Sequence, residues 1–466
     1  MTDHSVTETT SRPVDRSRSM GLKLILVGAL VVLLGVPLAI VNLLAWERAN
    51  RAEVVAVEVG AAYGGPQEMR GPFLAIPYTI EREVEVRDDN NRVRREMRPA
   101  TETVIVSPDT LHITGQLESR ILSRAIYDVP VYEAGLELGG TFDTSGVADL
   151  VPEGGQADWS AARMVYAVSD LRGIGEDFHF TLSGRRTLRF EPQSDFDRVG
   201  ANGSAWRGMS APVPGLRAGE AFEFEASLQI SGAQSFALLA SGRETTADIS
   251  SDWRHPGFDG TFLPDSREIG AEGFTASWRV PYLARGVPAS WVEGKGYSLH
   301  QAGNALFAVN LVTPADGYAQ VSRSLKYALL FLAFTLLMFF LIEANGDRPV
   351  HAAQYILIGL AQVIFYLLLL ALSEHVGVWA AYGTAALATI MLTAGYALSV
   401  FRSQPMAMVT FAGLTLTYLI QFVLVLMEDY ALLIGSALAF GAVAVTMFVT
   451  RKVDWYGVTT LPKKAG

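Results

Sequence analysis

The chain has 466 residues, of which 50% are hydrophobic and only 18% charged, with a formal net charge of −10 and no cysteine. Soluble chains carry nearer a quarter charged residues. Here the charges are frequent between Glu47 and Arg323 and sparse after Tyr327, which marks a water-soluble block joined to a lipid-soluble one. An acidic chain without a basic run lacks the footprint of a nucleic-acid binder. Without cysteine, disulfides, thiolate nucleophiles, iron–sulfur clusters and cysteine-based zinc sites are excluded.

Residues 1–20 are polar and rich in Ser, Thr and Arg and read as a disordered tail. An apolar stretch follows from Leu24 to Ala45, long enough to cross roughly 30 Å of hydrocarbon. Trp46 sits where an interfacial aromatic is expected. The stretch exceeds the usual signal-peptide core of about 7–15 residues, and no small-x-small site follows it, so it reads as an uncleaved anchor. Residues 47–65, charged and rich in Ala and Val, extend the first helix beyond the bilayer.

After Gly71-Pro72 the texture changes to short β-prone runs, among them Phe73–Tyr78, Thr103–Val106, Leu111–Leu117, Met164–Val168 and Phe222–Ile230. Alternation at Glu83–Arg87 and Arg92–Arg98, with Asp88-Asp89-Asn90-Asn91 between, reads as a hairpin with a polar turn. Turn residues recur about every ten positions, which predicts an all-β, sandwich-like domain.

Five apolar blocks then follow, near Tyr327–Ile342, Ala353–Leu372, Val378–Val400, Met406–Met427 and Tyr430–Val449. The first is short for a span and needs flanking residues or a thinner bilayer. Glycines at 359, 383, 395, 413, 435 and 441 suit close helix approach. Orientation follows from Lys and Arg. With six spans and the N-terminus inside, the inner segments hold Arg12, Arg16, Arg18, Lys23, Arg348, Arg402, Arg451, Lys452, Lys463 and Lys464. The short outer hairpins near Ser373–Gly377 and Glu428–Asp429 hold no Lys or Arg. Arg323 and Lys326 lie outside, at the end of a long loop where the rule is weak. The expected organisation is a cytoplasmic tail (1–20), a first transmembrane helix (21–46), a periplasmic β-rich domain (47–325), a five-helix transmembrane bundle (326–450) and a second cytoplasmic tail (451–466).

No HExxH, GxSxG, Walker A or Rossmann pattern is present. Gly294-Lys295-Gly296-Tyr297-Ser298 has the wrong spacing for a phosphate loop. The polar residues of most interest lie at membrane edges. Ser373-Glu374-His375 and Glu428-Asp429 share the outer face, where acidic groups with one histidine can bind a cation or relay a proton, or serve only as the polar turns that short hairpins require. Like charges at a low-dielectric boundary repel unless offset. Glu374, His375, Glu428 and Asp429 are therefore expected to join Arg323 and Lys326 in one interfacial network docking the β domain. Glu343, Arg348 and His351 flank the inner loop as a salt bridge or headgroup contact. Gln362 and Gln421, within spans, read as interhelical hydrogen-bonding groups. No ionisable residue falls near a midplane, which weighs against an ion-coupled carrier. Ser251-Asp252-Trp253-Arg254-His255-Pro256 reads either as a sugar or metal site or as a turn with a core tryptophan.

These segments resemble a known family. Gly65-Pro66-Gln67, Gly71-Pro72-Phe73-Leu74-Ala75-Ile76-Pro77-Tyr78, Ile126-Tyr127-Asp128-Val129-Pro130-Val131-Tyr132 and Val168-Ser169-Asp170-Leu171-Arg172-Gly173-Ile174 come in order. Ser251-Asp252-Trp253, Pro256-Gly257-Phe258-Asp259-Gly260, Phe262-Leu263-Pro264 and Gly273-Phe274-Thr275-Ala276-Ser277-Trp278 continue the series. In the membrane part stand Arg323-Ser324-Leu325-Lys326-Tyr327, Gln354-Tyr355, Phe365-Tyr366-Leu367-Leu368-Leu369, Ser373-Glu374-His375 and Glu428-Asp429-Tyr430-Ala431-Leu432-Leu433. Each motif is weak alone. In order they resemble the inner-membrane protein CreD family, also called cell envelope integrity proteins. Three departures stand out. The family's Arg-Gly-Ile-Tyr is Arg124-Ala125-Ile126-Tyr127, its His-Pro-x-Gln-Tyr is His351-Ala352-Ala353-Gln354-Tyr355, and its Pro-Val-Gly is Ala240-Ser241-Gly242. The resemblance implies a role in envelope integrity and stress response. It implies no catalytic residue, cofactor or ligand.

The expectation is thus a non-enzymatic, cofactor-free inner-membrane protein with both termini cytoplasmic. Its bundle contacts membrane lipids, and its β domain binds an envelope protein or glycan. The rival reading is an enzyme or flippase-like carrier for an envelope lipid or glycan, with a cavity lined by Glu374, His375, Glu428 and Asp429.

Overall fold

The computed structural model describes residues 16–87, 93–176, 178–183, 186–193, 207–299, 301, 305–313, 317–345, 349–427 and 430–451. The chain divides into two compact units. One combines the chain up to Ala52 with the chain from residue 315 onward, and the other is Glu53–Pro314.

The first unit is helical. Helix α1 runs Arg16–Ala62, its residues from Glu53 onward belonging to the second unit, α2 Gly317–Lys326, α3 Ala328–Asn345, α4 Ala352–Val376, α5 Val378–Phe401, α6 Gln404–Leu426 and α7 Ala431–Thr450. Along α1, Val27, Leu30, Leu34, Leu38, Val41 and Ala45 are buried, the three-and-four spacing of one helix face. Val32, Leu33, Val36, Ile40 and Leu43 on the other faces are exposed, as lipid-facing side chains are in a chain surrounded by hydrocarbon. Six spans were expected. Among the described residues, the α1 segment from Gly21, α4, α5 and α6 are long and apolar enough to cross a membrane, and α2–α3, bent by 48°, makes a fifth if counted as one span. Helix α7 is present, but its apolar stretch Leu433–Phe448 is shorter. The short first block is thus the helix α3, which α2 precedes across a bend at Tyr327.

The second unit is β-rich. Its principal strands are β1 (Gln67–Arg87), β2 (Val93–Val106), β3 (Thr110–Arg124), β4 (Tyr127–Asp143), β5 (Arg163–Val168), β6 (Ala221–Ala233), β7 (Ser235–Leu239), β8 (Glu244–Ser251), β9 (Ser266–Gly270), β10 (Gly273–Val280) and β11 (Leu306–Leu311). Together with shorter strands, among the described residues they form sheets of ten and eight strands. In the eight-stranded sheet the order is β9-β10-β8-β3-β4-β6, followed by His179–Leu182 and Arg186–Leu188. Among the described residues, only β8 against β3 is parallel within it. In the other sheet β1 pairs with β2 and β5 and lies parallel to β7. The β1–β2 pairing extends to Arg87 opposite Val93, as the alternation predicted. The turn residues 88–92 lie outside the described residues.

Alternating side chains make the sheets two-sided. In β3, Leu111, Ile113 and Leu117 are buried, and in β6, Phe222, Phe224, Ala226, Leu228 and Ile230. Inward residues of both sheets form one continuous hydrophobic core. Phe224 stacks on Phe180 with ring centroids 5.3 Å apart. Each such buried ring contributes about 1.5–3 kcal/mol. The strands are longer than the short runs expected. Gly71-Pro72 does not precede the first strand but sits within β1, where the β1–β5 register shifts between Arg70 and Phe73. That bulge absorbs a residue pair with few ladder hydrogen bonds to give.

Candidate functional site

The expected outer network is described in part. Ser373-Glu374-His375 is not a loop but the last turn of α4. Gly377, at φ 78 and ψ 157, turns the chain directly into α5, a conformation essentially restricted to glycine. Glu374 is half-buried and accepts a hydrogen bond from Tyr318 Oη of α2 at 3.0 Å. The Arg48 guanidinium of α1 lies 3.8 Å away. His375 and Lys326 are exposed, and Arg323 is half-buried and not free of partners. Glu428 and Asp429 lie outside the described residues. The structure thus joins Glu374 to α1 and α2 through Arg48 and Tyr318, neither of which the sequence marked.

A second charged cluster lies at the other end of the bundle. Glu343, only 2% exposed, ends α3 and is ion-paired with Lys23 of α1. Its Oε1 also accepts from Val350 N at 2.9 Å, and its Oε2 from Tyr355 Oη at 2.8 Å. A buried carboxylate needs such pairing. The salt-bridge reading of Glu343 holds, with Lys23 as the partner. His351 instead caps α4. Its Nδ1 accepts from Ala353 N at 3.2 Å, while Gln354 Oε1 accepts from His351 N at 2.8 Å, a reciprocal cap.

Between these ends, α4 and α6 are joined by a polar ladder. Tyr418 Oη donates to Gln362 Oε1 at 2.8 Å, and Gln421 Nε2 donates to Tyr366 Oη at 2.9 Å and to Ser324 Oγ at 2.7 Å. Both glutamines are therefore interhelical hydrogen-bonding groups, as expected from their type.

In the β-rich unit, Trp253 is a core residue whose Nε1 donates to the carbonyls of His255 and Val312, each at 3.1 Å. The turn-and-core reading of this motif is the one the fold realises. Asp252 has a separate position. Its Oδ1 accepts from Ser119 N at 2.8 Å and Ser119 Oγ at 2.6 Å, at the wall of a cleft of about 920 Å³. The cleft is lined by residues 116–119 of β3, 250–252 at the end of β8, and 268–275 of β9, β10 and their turn. Four carboxylates line it, from Glu118, Asp252, Glu268 and Glu272, and none of its lining residues is Lys or Arg. Among the described residues no three His, Asp or Glu side chains converge as a metal site.

Several polar groups of this unit hold the fold. Gln67 Nε2 donates to the carbonyls of Gly64 at 3.0 Å and Asp170 at 3.1 Å. Tyr78 and Lys295 both bond the Glu102 carboxylate, and these hydrogen bonds, that from Lys295 first, hold it below the usual carboxylate range. Arg285, 2% exposed, donates to the carbonyls of Ser241 at 2.5 Å and Pro288 at 3.2 Å. Burial lowers its guanidinium to about 10.

A family model described as inner membrane protein CreD matches residues 19–456. The chain belongs to the CreD family. A relative, the inner membrane protein CreD of Escherichia coli (strain K12), is 31% identical over 441 residues, covering 94% of each chain. A crystal structure of a proposed protease from Parabacteroides distasonis overlaps 67% of this chain and 58% of its own, at 9% identity and a TM-score of 0.22, a likeness too low to bear on fold or activity. Family membership and the apolar helices together make this a multi-pass inner-membrane protein.

Proposed function

We propose that the protein serves envelope integrity without catalysis, through a β domain that faces the periplasm and binds an envelope component while the helices anchor it. The cleft at Gln116–Ser119, Ser250–Asp252 and Glu268–Thr275 is the observation that carries the binding role. It is open, lined by carboxylates together with apolar side chains such as Leu117 and Ile269, and large enough for a segment of a partner. Engagement of Glu374 by Tyr318 and Arg48 supports a structural part for that carboxylate rather than the cavity wall a carrier or lipid-acting enzyme needs. The Lys/Arg distribution supports the outward orientation of residues 47–325.

A photo-crosslinking residue placed at Thr275 in native membranes should capture a discrete envelope component. The same residue at Glu223, on the distant strand β6, should not. Equal capture at both positions contradicts the reading. Reporter fusions at Gly200 and after Asp429 should read periplasmic, and those at Asp347 and Lys464 cytoplasmic. A cytoplasmic signal at Gly200 overturns the orientation.

A further inference from the structure

Strand β9 is the edge of the eight-stranded sheet, and among the described residues it pairs with β10 alone. All five of its residues are exposed. Two cross-strand rows end on it. One is polar and outward-facing, running Gln116, Ser250, Thr275, Glu268 in register across four strands. The next is the core-facing row Leu117, Ser251, Phe274, Ile269. The core row stops without cover, because Ile269 is 52% exposed although its neighbour Phe274 is buried. An added strand would continue both rows, placing one side chain beside Glu268 and the next beside Ile269.

Edges of this kind are ordinarily blunted by charge, and lysine is the commonest device. Here the basic residue of the strand does not guard it. The Arg267 guanidinium lies over the Phe258 ring, 5.8 Å from its centroid. What remains at the edge and along the adjoining cleft is acidic: Glu268, Glu272, Asp252 and Glu118. The edge therefore offers main-chain hydrogen bonds, one apolar contact and a negative field.

We propose that β9 accepts an extended peptide strand of alternating basic and apolar residues, with a basic side chain facing Glu268 and an apolar one covering Ile269. Main-chain pairing supplies affinity in such strand addition, and alternate side chains supply specificity. This rests on the reading that the β domain binds an envelope component, and it specifies a protein partner presenting a basic strand rather than a glycan.

The test uses the full-length protein in phosphatidylcholine nanodiscs and a fluorescein-labelled Lys-Val-Lys-Val-Lys-Val peptide, followed by fluorescence anisotropy with empty nanodiscs as control. Saturable binding is expected, with a dissociation constant on the order of 10–100 μM. Glu268→Lys should weaken it about tenfold without changing the melting temperature, and N-methylation of alternate peptide amides should do the same by removing the pairing donors. A Glu-Val-Glu-Val-Glu-Val peptide should bind at least about tenfold more weakly. The proposal is overturned if neither peptide binds, if both bind alike, or if Glu268→Lys leaves binding unchanged. A glycan captured from Thr275, with no peptide binding, also overturns it while leaving the binding role of the domain intact.

Discussion

Replacing Ala125 by glycine should stabilise the β domain. Ala125 and Ile126 form the two-residue turn between β3 and β4, whose last pair is Arg124 opposite Tyr127. Ala125 has φ 58, the left-handed region that costs an L-residue roughly 1–2 kcal/mol. Two-residue hairpin turns with positive φ at their first central position favour glycine there, and the resembled family pattern has it. Ala125 is exposed, so removing its methyl group sacrifices no packing. Glycine restores freedom to the unfolded chain at a cost of about 0.4–1 kcal/mol. The net gain for Ala125→Gly is then about 0.5–1 kcal/mol. For a domain of this size, 1 kcal/mol moves the midpoint by roughly 2–4 °C, so a rise of about 1–4 °C is expected in thermal unfolding followed by near-UV circular dichroism in one fixed detergent. Gly135→Ala is the matched control. That glycine lies in β4 with nothing within 4 Å of an added Cβ, and its substitution should be neutral or slightly stabilising. An unchanged or lowered midpoint for Ala125→Gly refutes the argument from strain.

Three further outcomes follow from buried polar contacts. Glu343→Gln leaves Lys23 without its counter-charge; removing one partner of a buried pair costs about 3–5 kcal/mol, moderated here because the lysine can reach water. The bundle should melt earlier in detergent, and adding Lys23→Met to Glu343→Gln should recover part of the loss. If the double variant is no better than the single one, the pair does not couple α1 to α3. Gly173→Ala would place a Cβ 2.4 Å from both the Gln67 amide and the Ser231 carbonyl oxygen, so the β domain should lose about 1–3 kcal/mol; an unchanged denaturation midpoint refutes this. Glu102 is held below its ordinary carboxylate range by Lys295 and Tyr78, so its contribution is present above the unfolded-state value and lost as pH falls through the lowered folded-state value. Glu102→Gln should therefore lower the midpoint at pH 7 and matter progressively less on acidification, and a deficit that grows towards low pH contradicts the sign.

The helices and strands were legible because each is written in a local period. The face from Val27 to Ala45 and the alternation in β3 and β6 need no partner to be seen. The polar anchors were not legible to the same degree, because their partners are remote in sequence. Nothing near Glu343 indicates Lys23, and Tyr318 and Arg48 stand far from Glu374 along the chain. The bend at Tyr327 and the single-residue reversal at Gly377 escaped for a different reason. Hydropathy records how apolar a block is but not where its axis turns.

The segments that carry the family resemblance have their own physical reading. Gln67 and the Asp170–Gly173 turn are bound to each other through the Gln67 amide, and Gly173 leaves the space that this amide fills. His351 and Gln354 cap one helix reciprocally, and Tyr355 hydrogen-bonds the Glu343 carboxylate. Trp253 bridges two loop carbonyls from the core. Such residues explain why the fold forms, since the hydrogen bonds described for them are made within the protein itself. A binding role therefore has to rest on groups the fold leaves uncommitted. Strand β9 meets that condition at both levels, since its outer backbone edge lacks a described partner and Ile269 lacks cover. That is why Glu268→Lys separates recognition from stability. It reverses the charge at the open edge while leaving every hydrogen bond described for the fold untouched.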